Sequence, residues 1–249
     1  MLPFPYDDPA DTIRIGHIMP SSNSWAEPLT YALNRELDGK VTHHFSRIPV
    51  LRLGLDGQAD AQFQDNTMVE AAKLLADAPL HAIVWNGTSA SWRGLEHDLA
   101  LCAAITKATG LPAVTATTGM YGVYQRHGWK KIGLALPYLE DVSRQLAQEY
   151  ARQGYEVTGN AFLDISANVE IGAIRQDRMR DLLRAAARGK PDCIAVVCTN
   201  FPATALVAEM EAELGIPIVD SIAVTFLEAC LAAGVTPRIT GWGRIFDTL

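Results

Sequence analysis

The chain lacks any apolar run of the ~18 residues that a membrane-spanning helix needs. Its nearest approach, residues 221–235, is interrupted by Glu228. Cations are in short supply: 21 Lys and Arg stand against 28 Asp and Glu, a net charge of −7. A broad phosphate-binding surface needs clustered cations, so nucleic acid is excluded as a partner. The opening segment MLPFPYDDPADT is acidic and Pro-rich, the reverse of a secretory signal. Together these absences predict a cytoplasmic protein with neither a membrane nor a nucleic-acid partner. Cysteine is sparse as well. Cys102, Cys193, Cys198 and Cys230 are the four thiols in 249 residues, which is no disulfide scaffold, and a reducing compartment keeps them free.

Familiar chemical signatures are also missing. No G-x-G-x-x-G, no phosphate loop, no G-x-S-x-G elbow, no H-E-x-x-H and no C-x-x-C occurs. The six histidines show no metal-ligand spacing, and His43 and His44, adjacent in a predicted strand, point to opposite faces. The expectation is a site that uses neither cofactor nor metal.

What is present is a globular composition, 49% apolar and 20% charged. The length of 249 residues lies between one and two domains of ~150 residues. Short, mostly continuous apolar runs at 13–19, 42–50, 81–85, 113–116, 131–136, 156–163, 193–197 and 216–219 read as buried parallel strands. Helical patterns fall between them. Ser24-Trp-Ala-Glu27 reads as a capping box, with its helix stopping near Gly39. Asp65/Asn66 and Asp141 open two further helices, the latter ending at Gly154.

The strand strings repeat. Ile15-Gly-His-Ile-Met-Pro20 returns as Ile132-Gly-Leu-Ala-Leu-Pro137, an offset of 117 that also sets Ser24 on Asp141, Leu29 on Leu146, Phe45 on Phe162 and Ile48 on Ile165. Residues 83–88 match 194–199 at an offset of 111, and Gly110–Val114 matches Gly215–Val219 at 105. Matches in one order with shrinking offsets describe a duplication with shorter loops in the second copy. The predicted fold is α/β, with two pseudo-symmetric lobes, each a four-stranded parallel sheet flanked by helices, and the active site in the inter-lobe cleft. The lobes are 13–117 and 118–221, and the segment 222–249 could complete the first. Helical stretches 118–128 and 222–234 follow the fourth strand of each copy.

Loops at the carboxyl ends of equivalent strands should line the cleft. They are Ser21-Ser22-Asn23 and Tyr138-Leu139-Glu140, Leu51–Leu53 and Ala167-Asn168, Asn86-Gly87-Thr88-Ser89 and Cys198-Thr199-Asn200. Hydroxyls, amides and helix N-termini in such numbers suit a carboxylate. Cys102, Cys193 and Cys230 lie in helix or strand patterns and read as core. Trp85, Trp92 and Trp129 read as packing, and Arg175, Arg178, Arg180, Arg184 and Arg188 as a solvated helix face.

The Pro20-Ser-Ser-Asn-Ser24, Gly87-Thr-Ser89 and Cys198-Thr199 loops resemble the Asp/Glu racemase superfamily, and within it maleate cis-trans isomerase and arylmalonate decarboxylase. The resemblance runs over nearly the whole chain, to Gly241-Trp-Gly-Arg-Ile-Phe-Asp247. It implies a cofactor-independent site between the lobes, with a cysteine after each third strand in the racemases and the isomerase. Here the second position is Cys198 and the first is Gly87. A two-base racemase needs a proton carrier on each face, and the isomerase needs a thiolate to add to a double bond. One thiol suits decarboxylation with protonation from one side.

By resemblance, Thr88, Ser89 and Tyr138 hold the retained carboxylate and the enediolate that forms from it, and Cys198 is the acid. Leu51 and Leu53 would desolvate the departing carboxylate, with Ser22, Asn23, Gly87, Asn168 and Thr199 completing the binding set. Asn23 and Asn168 look like the isomerase's carboxylate-binding asparagines, so the chain mixes features of the two branches. The expected activity is decarboxylation of a small malonate-type or related dicarboxylic acid. The alternatives are a maleate isomerase-like or racemase-like enzyme, or a non-catalytic binding protein for small carboxylates. A small carboxylic acid is the expected partner; a homo-oligomer is compatible with the sequence, though no exposed apolar stripe can be read from it.

Overall fold

The computed structural model describes residues 10–37 and 39–247. The acidic segment 1–9, read above against a signal peptide, lies outside the described residues. The elements alternate: β1 (Ile13–Pro20), α1 (Ala26–Asn34), β2 (Val41–Ile48), α2 (Asp65–Ala76), β3 (Ala82–Trp85), α3 (Leu95–Thr109), β4 (Ala113–Thr115) and α4 (Ala116–His127). The series repeats as β5 (Lys131–Leu136), α5 (Glu140–Arg152), β6 (Glu156–Phe162), α6 (Gln176–Ala187), β7 (Cys193–Val196), α7 (Val207–Leu214), β8 (Ile218–Asp220) and α8 (Ser221–Ala232). Among the described residues no helix is long and apolar enough to cross a membrane.

Two four-stranded sheets result, ordered β2-β1-β3-β4 and β6-β5-β7-β8, with every pairing parallel. The repeated strings form β1 and β5, which hold equivalent inner positions. Inner strands are covered on both faces, so β3 and β7 are buried at every residue and read as unbroken apolar runs. Edge strand β6 is only partly covered. The strand expected at 216–219 is displaced to Ile218–Asp220. Asp220 thereby reaches the start of α8, where its carboxylate accepts from the N–H groups of Ile222 at 3.1 Å and Ala223 at 3.0 Å.

The helix ends correct three expectations. Ser24 does not cap α1. Asn23 does, its Oδ1 accepting from the N–H of Trp25 at 3.0 Å and of Ala26 at 2.9 Å. Ser24 instead turns to the opposite lobe, its N–H donating to Asn200 Oδ1 at 2.8 Å. The helix stops at Asn34 and runs through a tight turn to Leu37, short of Gly39. Similarly, α5 opens at Glu140, and Asp141 lies within its first turn.

The helices after the fourth strands knit the lobes together. Helix α8 packs on β3, β4 and α1 of the first lobe and lies against α4. Gly119 makes that approach possible, since a Cβ there would meet Val224 at 2.9 Å. On its other side α4 carries Tyr121 and Tyr124 into the second lobe. Tyr121 meets Tyr150 at 5.3 Å and Tyr155 at 5.4 Å between ring centroids, and the Tyr124 and Tyr150 hydroxyls are 3.1 Å apart.

Beneath the first sheet's carboxyl end lies a buried polar chain. The Asn86 amide donates to His17 Nδ1 at 3.1 Å and to the Ile18 carbonyl at 3.2 Å. His17 must then carry its proton on Nε2 and donate to His43 Nδ1, 2.9 Å away. His43 Nε2 is left buried without a partner. Burial, then the charge of His43, holds His17 well below its usual range; burial, then His44, brings His43 down to about 3.

Both rings are therefore neutral in the folded chain, whereas unfolding frees them to protonate below about 6.5. Their contribution to stability is present above that pH and is lost as acid is added. At about pH 4.5 the His43 share amounts to roughly 2–3 kcal/mol. A His43→Leu variant is expected to lose less stability than wild type between about pH 7 and about pH 4.5 in thermal or denaturant unfolding; parallel profiles would contradict this.

Candidate active site

The loops after β1, β3, β5 and β7 converge where the lobes meet. Hydrogen bonds cross the contact. Thr199 Oγ1 donates to the Asn86 carbonyl at 2.7 Å, and the Asn23 amide donates to the Thr199 carbonyl at 2.9 Å. The Asn200 amide donates to the Asn168 carbonyl at 2.7 Å, and the Asn168 amide to Ser22 Oγ at 2.8 Å. Ser22 Oγ donates in turn to the Val50 carbonyl. Main-chain bonds add a short seam, with Leu53 N–H to the Ser166 carbonyl at 2.9 Å and Asn168 N–H to the Leu51 carbonyl at 3.1 Å.

Within this frame lies a cavity of about 20 Å³. One wall is polar: Thr88, Ser89, Tyr138, Asn168, Cys198 and Thr199. The other is apolar: Pro20, Val50, Leu53, Phe63, Trp85 and Trp92, with Gly87 at the junction. Eight of the eleven expected site residues, Leu53 among them, thus share one cavity. Three do not reach it. Asn23 is buried behind the wall, occupied with capping α1 and holding Thr199. Ser22 supports Asn168 from behind. Leu51 is 63% exposed and points to solvent. Its main chain is pinned at both ends, N–H to Gln62 Oε1 at 2.6 Å and carbonyl to Asn168. Val50 and Leu53, both buried, line the cavity instead.

Sequence reasoning missed Val50, Phe63 and the supporting Ser221; Trp85 and Trp92 are in the core as expected, and they also line the cavity. A signal was available for Trp85: the duplication sets it on Val196, a large ring opposite a small side chain. Cys193 and Cys230 are buried as expected, while Cys102 is partly exposed on α3.

Cys198 is 3% exposed. Its N–H donates to Ser221 Oγ at 3.1 Å, which fixes the start of the loop. Burial pushes its thiol up to about 11, against the pull of the Asn200 N–H, the Tyr138 hydroxyl and the Phe201 N–H. At neutral pH it is a protonated thiol with three donors waiting to receive the thiolate. Tyr138 is also held in its neutral form by burial, and then by the neighbouring sulfur. Its hydroxyl lies 2.9 Å from Thr88 Oγ1, and Trp92 packs edge-on against its ring at 5.1 Å. With two hydroxyls sharing one bond, one proton is left over, available either to the sulfur or to a group in the cavity but not to both at once. Among the described residues no group of three or more His, Cys, Asp or Glu comes together at a metal-sized site. The arrangement can bind a carboxylate on its polar wall, stabilise negative charge that develops there, and deliver one proton from sulfur.

Comparison with known proteins gives the family. A family model described as arylmalonate decarboxylase matches residues 50–246. Arylmalonate decarboxylase from Bordetella bronchiseptica is 30% identical over 185 residues, covering 73% of this chain and 77% of that protein. Among solved structures, a double mutant of arylmalonate decarboxylase in its liganded form, glycine to cysteine and cysteine to serine, superposes with a TM-score of 0.82 at 25% identity. It covers 96% of this chain and all (100%) of its own. A cysteine-to-alanine maleate isomerase from Pseudomonas putida S16, solved with maleate, superposes at 0.88 but is 19% identical, covering 95% and 98% of the two chains. That second likeness carries the fold alone.

The state of the thiol can be read chemically. With a thiol near 11, only about one Cys198 in 10⁴ is thiolate at pH 7. Alkylation of the Cys198 peptide by iodoacetamide, followed by mass spectrometry, should be slow at neutral pH and rise about tenfold per pH unit up to about pH 10. A fast reaction that is already level at neutral pH would contradict the assignment.

Proposed function

The chain belongs to the arylmalonate decarboxylase family, and from that premise we propose that it is a cofactor-independent decarboxylase of a small malonate-type acid. The observation that carries this reading is that Cys198 is the single thiol lining the cavity, buried, with a glycine, Gly87, at the duplicated position in the same lining.

The acid binds with the carboxylate it keeps against Thr88, Ser89 and Tyr138. The carboxylate it loses faces Val50, Leu53 and Phe63, where an ionised group is poorly solvated. The bond from the α-carbon to that carboxylate breaks, and carbon dioxide departs. The electron pair left behind spreads into the retained carboxylate as an enediolate. The hydroxyl donors then meet more charge than they met in the ground state, which is the condition for lowering the barrier. The Cys198 sulfur gives its proton to the α-carbon. The thiolate is held by the Asn200 and Phe201 N–H groups until solvent returns a proton. One proton is consumed for each carbon dioxide released.

Isomerisation of an unsaturated diacid is less well supported. It needs Cys198 as a thiolate, which burial opposes. Of the two asparagines that would clamp a diacid, only Asn168 reaches the cavity wall.

The test is carbon dioxide release from a panel of small substituted malonates. Wild type should release it and Cys198→Ala should not. Tyr138→Phe and Thr88→Ala should each lower kcat/KM by about 10²–10³. Absence of release across the panel, or undiminished activity in Cys198→Ala, would overturn the proposal. Conversion of maleate to fumarate, seen by proton NMR, would install the isomerase in its place. A ligand that stabilises the fold and is never consumed would favour a binding protein.

A further inference from the structure

Trp85 ends β3 two residues before Gly87, fully buried and in the cavity wall. Its indole N–H has no hydrogen-bond partner. Buried indole N–H groups ordinarily find an acceptor, so an orphan in a residue that lines the cavity is informative. The ring also lies on Gly87: a Cβ added to that glycine would fall inside 3.0 Å of Cε2, Cζ2 and Nε1. Gly87 has no positive φ to explain it. It is glycine for space, and the space is taken by the indole.

The duplication makes the exchange explicit. In the second lobe the pair is Val196 and Cys198, a small side chain and a thiol. In the first it is Trp85 and Gly87, a large ring and no side chain. The volume that a thiol would use on one face is used on the other by aromatic carbon. The remaining space, about 20 Å³, holds little more than one water. Any acid that enters must displace part of the wall. Leu53 and Phe63 come from loop segments at the seam and can yield. The strand end that carries Trp85 is sealed on both faces and cannot.

We propose that Trp85 is the specificity-determining residue of this site. Its ring closes the subsite on the Gly87 face, so the acid accepted carries a small α-substituent and not an aryl group. Its N–H donates to a carboxylate oxygen of the bound acid, completing a donor set that the Thr88, Ser89 and Tyr138 hydroxyls begin. The inference rests on the reading of the cavity as a malonate-type site.

Binding is measured calorimetrically in a Cys198→Ser background, so that turnover does not intervene, with methylmalonate and phenylmalonate as probes. The Trp85 parent should bind methylmalonate and not phenylmalonate. Trp85→Phe keeps the bulk and loses the donor; it should bind methylmalonate about tenfold more weakly and still exclude phenylmalonate. Trp85→Leu should admit phenylmalonate, at least about tenfold more tightly than the parent. In ¹⁵N-labelled protein, the indole resonance that disappears in Trp85→Phe should shift when methylmalonate is added, a readout that survives if Trp85→Leu does not fold. Unchanged selectivity in Trp85→Leu, or an indole resonance that ignores a bound acid, would overturn the role of Trp85 and leave the malonate reading standing. Failure of every folded variant to bind either acid would bring down both.

Discussion

The Thr199 hydroxyl donates to the Asn86 carbonyl across the cleft at 2.7 Å, and the geometry of the site depends on that bond. It joins the loop after β7 to the loop after β3, the two positions that the duplication makes equivalent. Both partners are buried, so breaking it would strand a donor and an acceptor at a cost of about 1–3 kcal/mol each. The bond brings Gly87 and Cys198 into one small cavity. Behind it, Asn23 grips the Thr199 carbonyl, and His17 with the Ile18 carbonyl holds the Asn86 side chain. Residues that never touch the cavity therefore set its dimensions.

A symmetric frame thus encloses an asymmetric site. Both lobes supply a strand end, a turn and a hydroxyl. Only one supplies a thiol, and burial keeps that thiol protonated. The other supplies an indole that leaves no room for a second sulfur. Two-sided proton traffic needs matched groups on both faces, and the ring denies it. The same burial that makes Cys198 a weak acid makes it a poor nucleophile at rest, which separates protonation from addition to a double bond. In the proposed reaction the polar lining gathers charge, the apolar lining disfavours it, and the proton arrives from one direction.

The duplication and the strand positions were legible because buried parallel strands are continuous apolar strings, and two copies of one string are hard to miss. The lobe-crossing role of Tyr121 and Tyr124 was not, since it depends on which neighbour a helix meets. Ser24 read as a cap because the local pattern fits one; Asn200, 176 positions away, draws it off and leaves the cap to Asn23. Leu51 read as a pocket wall because the loop was right, but which of its side chains turn inward is set by the irregular backbone that pairs with residues 166–168. The arginine face of α6 is exposed as read, yet Arg180 and Arg184 are paired to Glu209 and Glu213 on α7, partners that no local spacing announces. Trp85 carried the least visible information, since sequence does not tell a ring that fills a core from one that closes a subsite.

The central claim is that one face of the bound acid sees a proton donor and the other sees a wall. The stereochemistry of the product in heavy water measures this directly. Decarboxylation of fluoro(methyl)malonate should give α-fluoropropionate deuterated at the α-carbon and of one hand, with no further exchange when the product is returned to the enzyme. A racemic product, or steady exchange of its α-proton, would mean that both faces carry protons and would contradict the account.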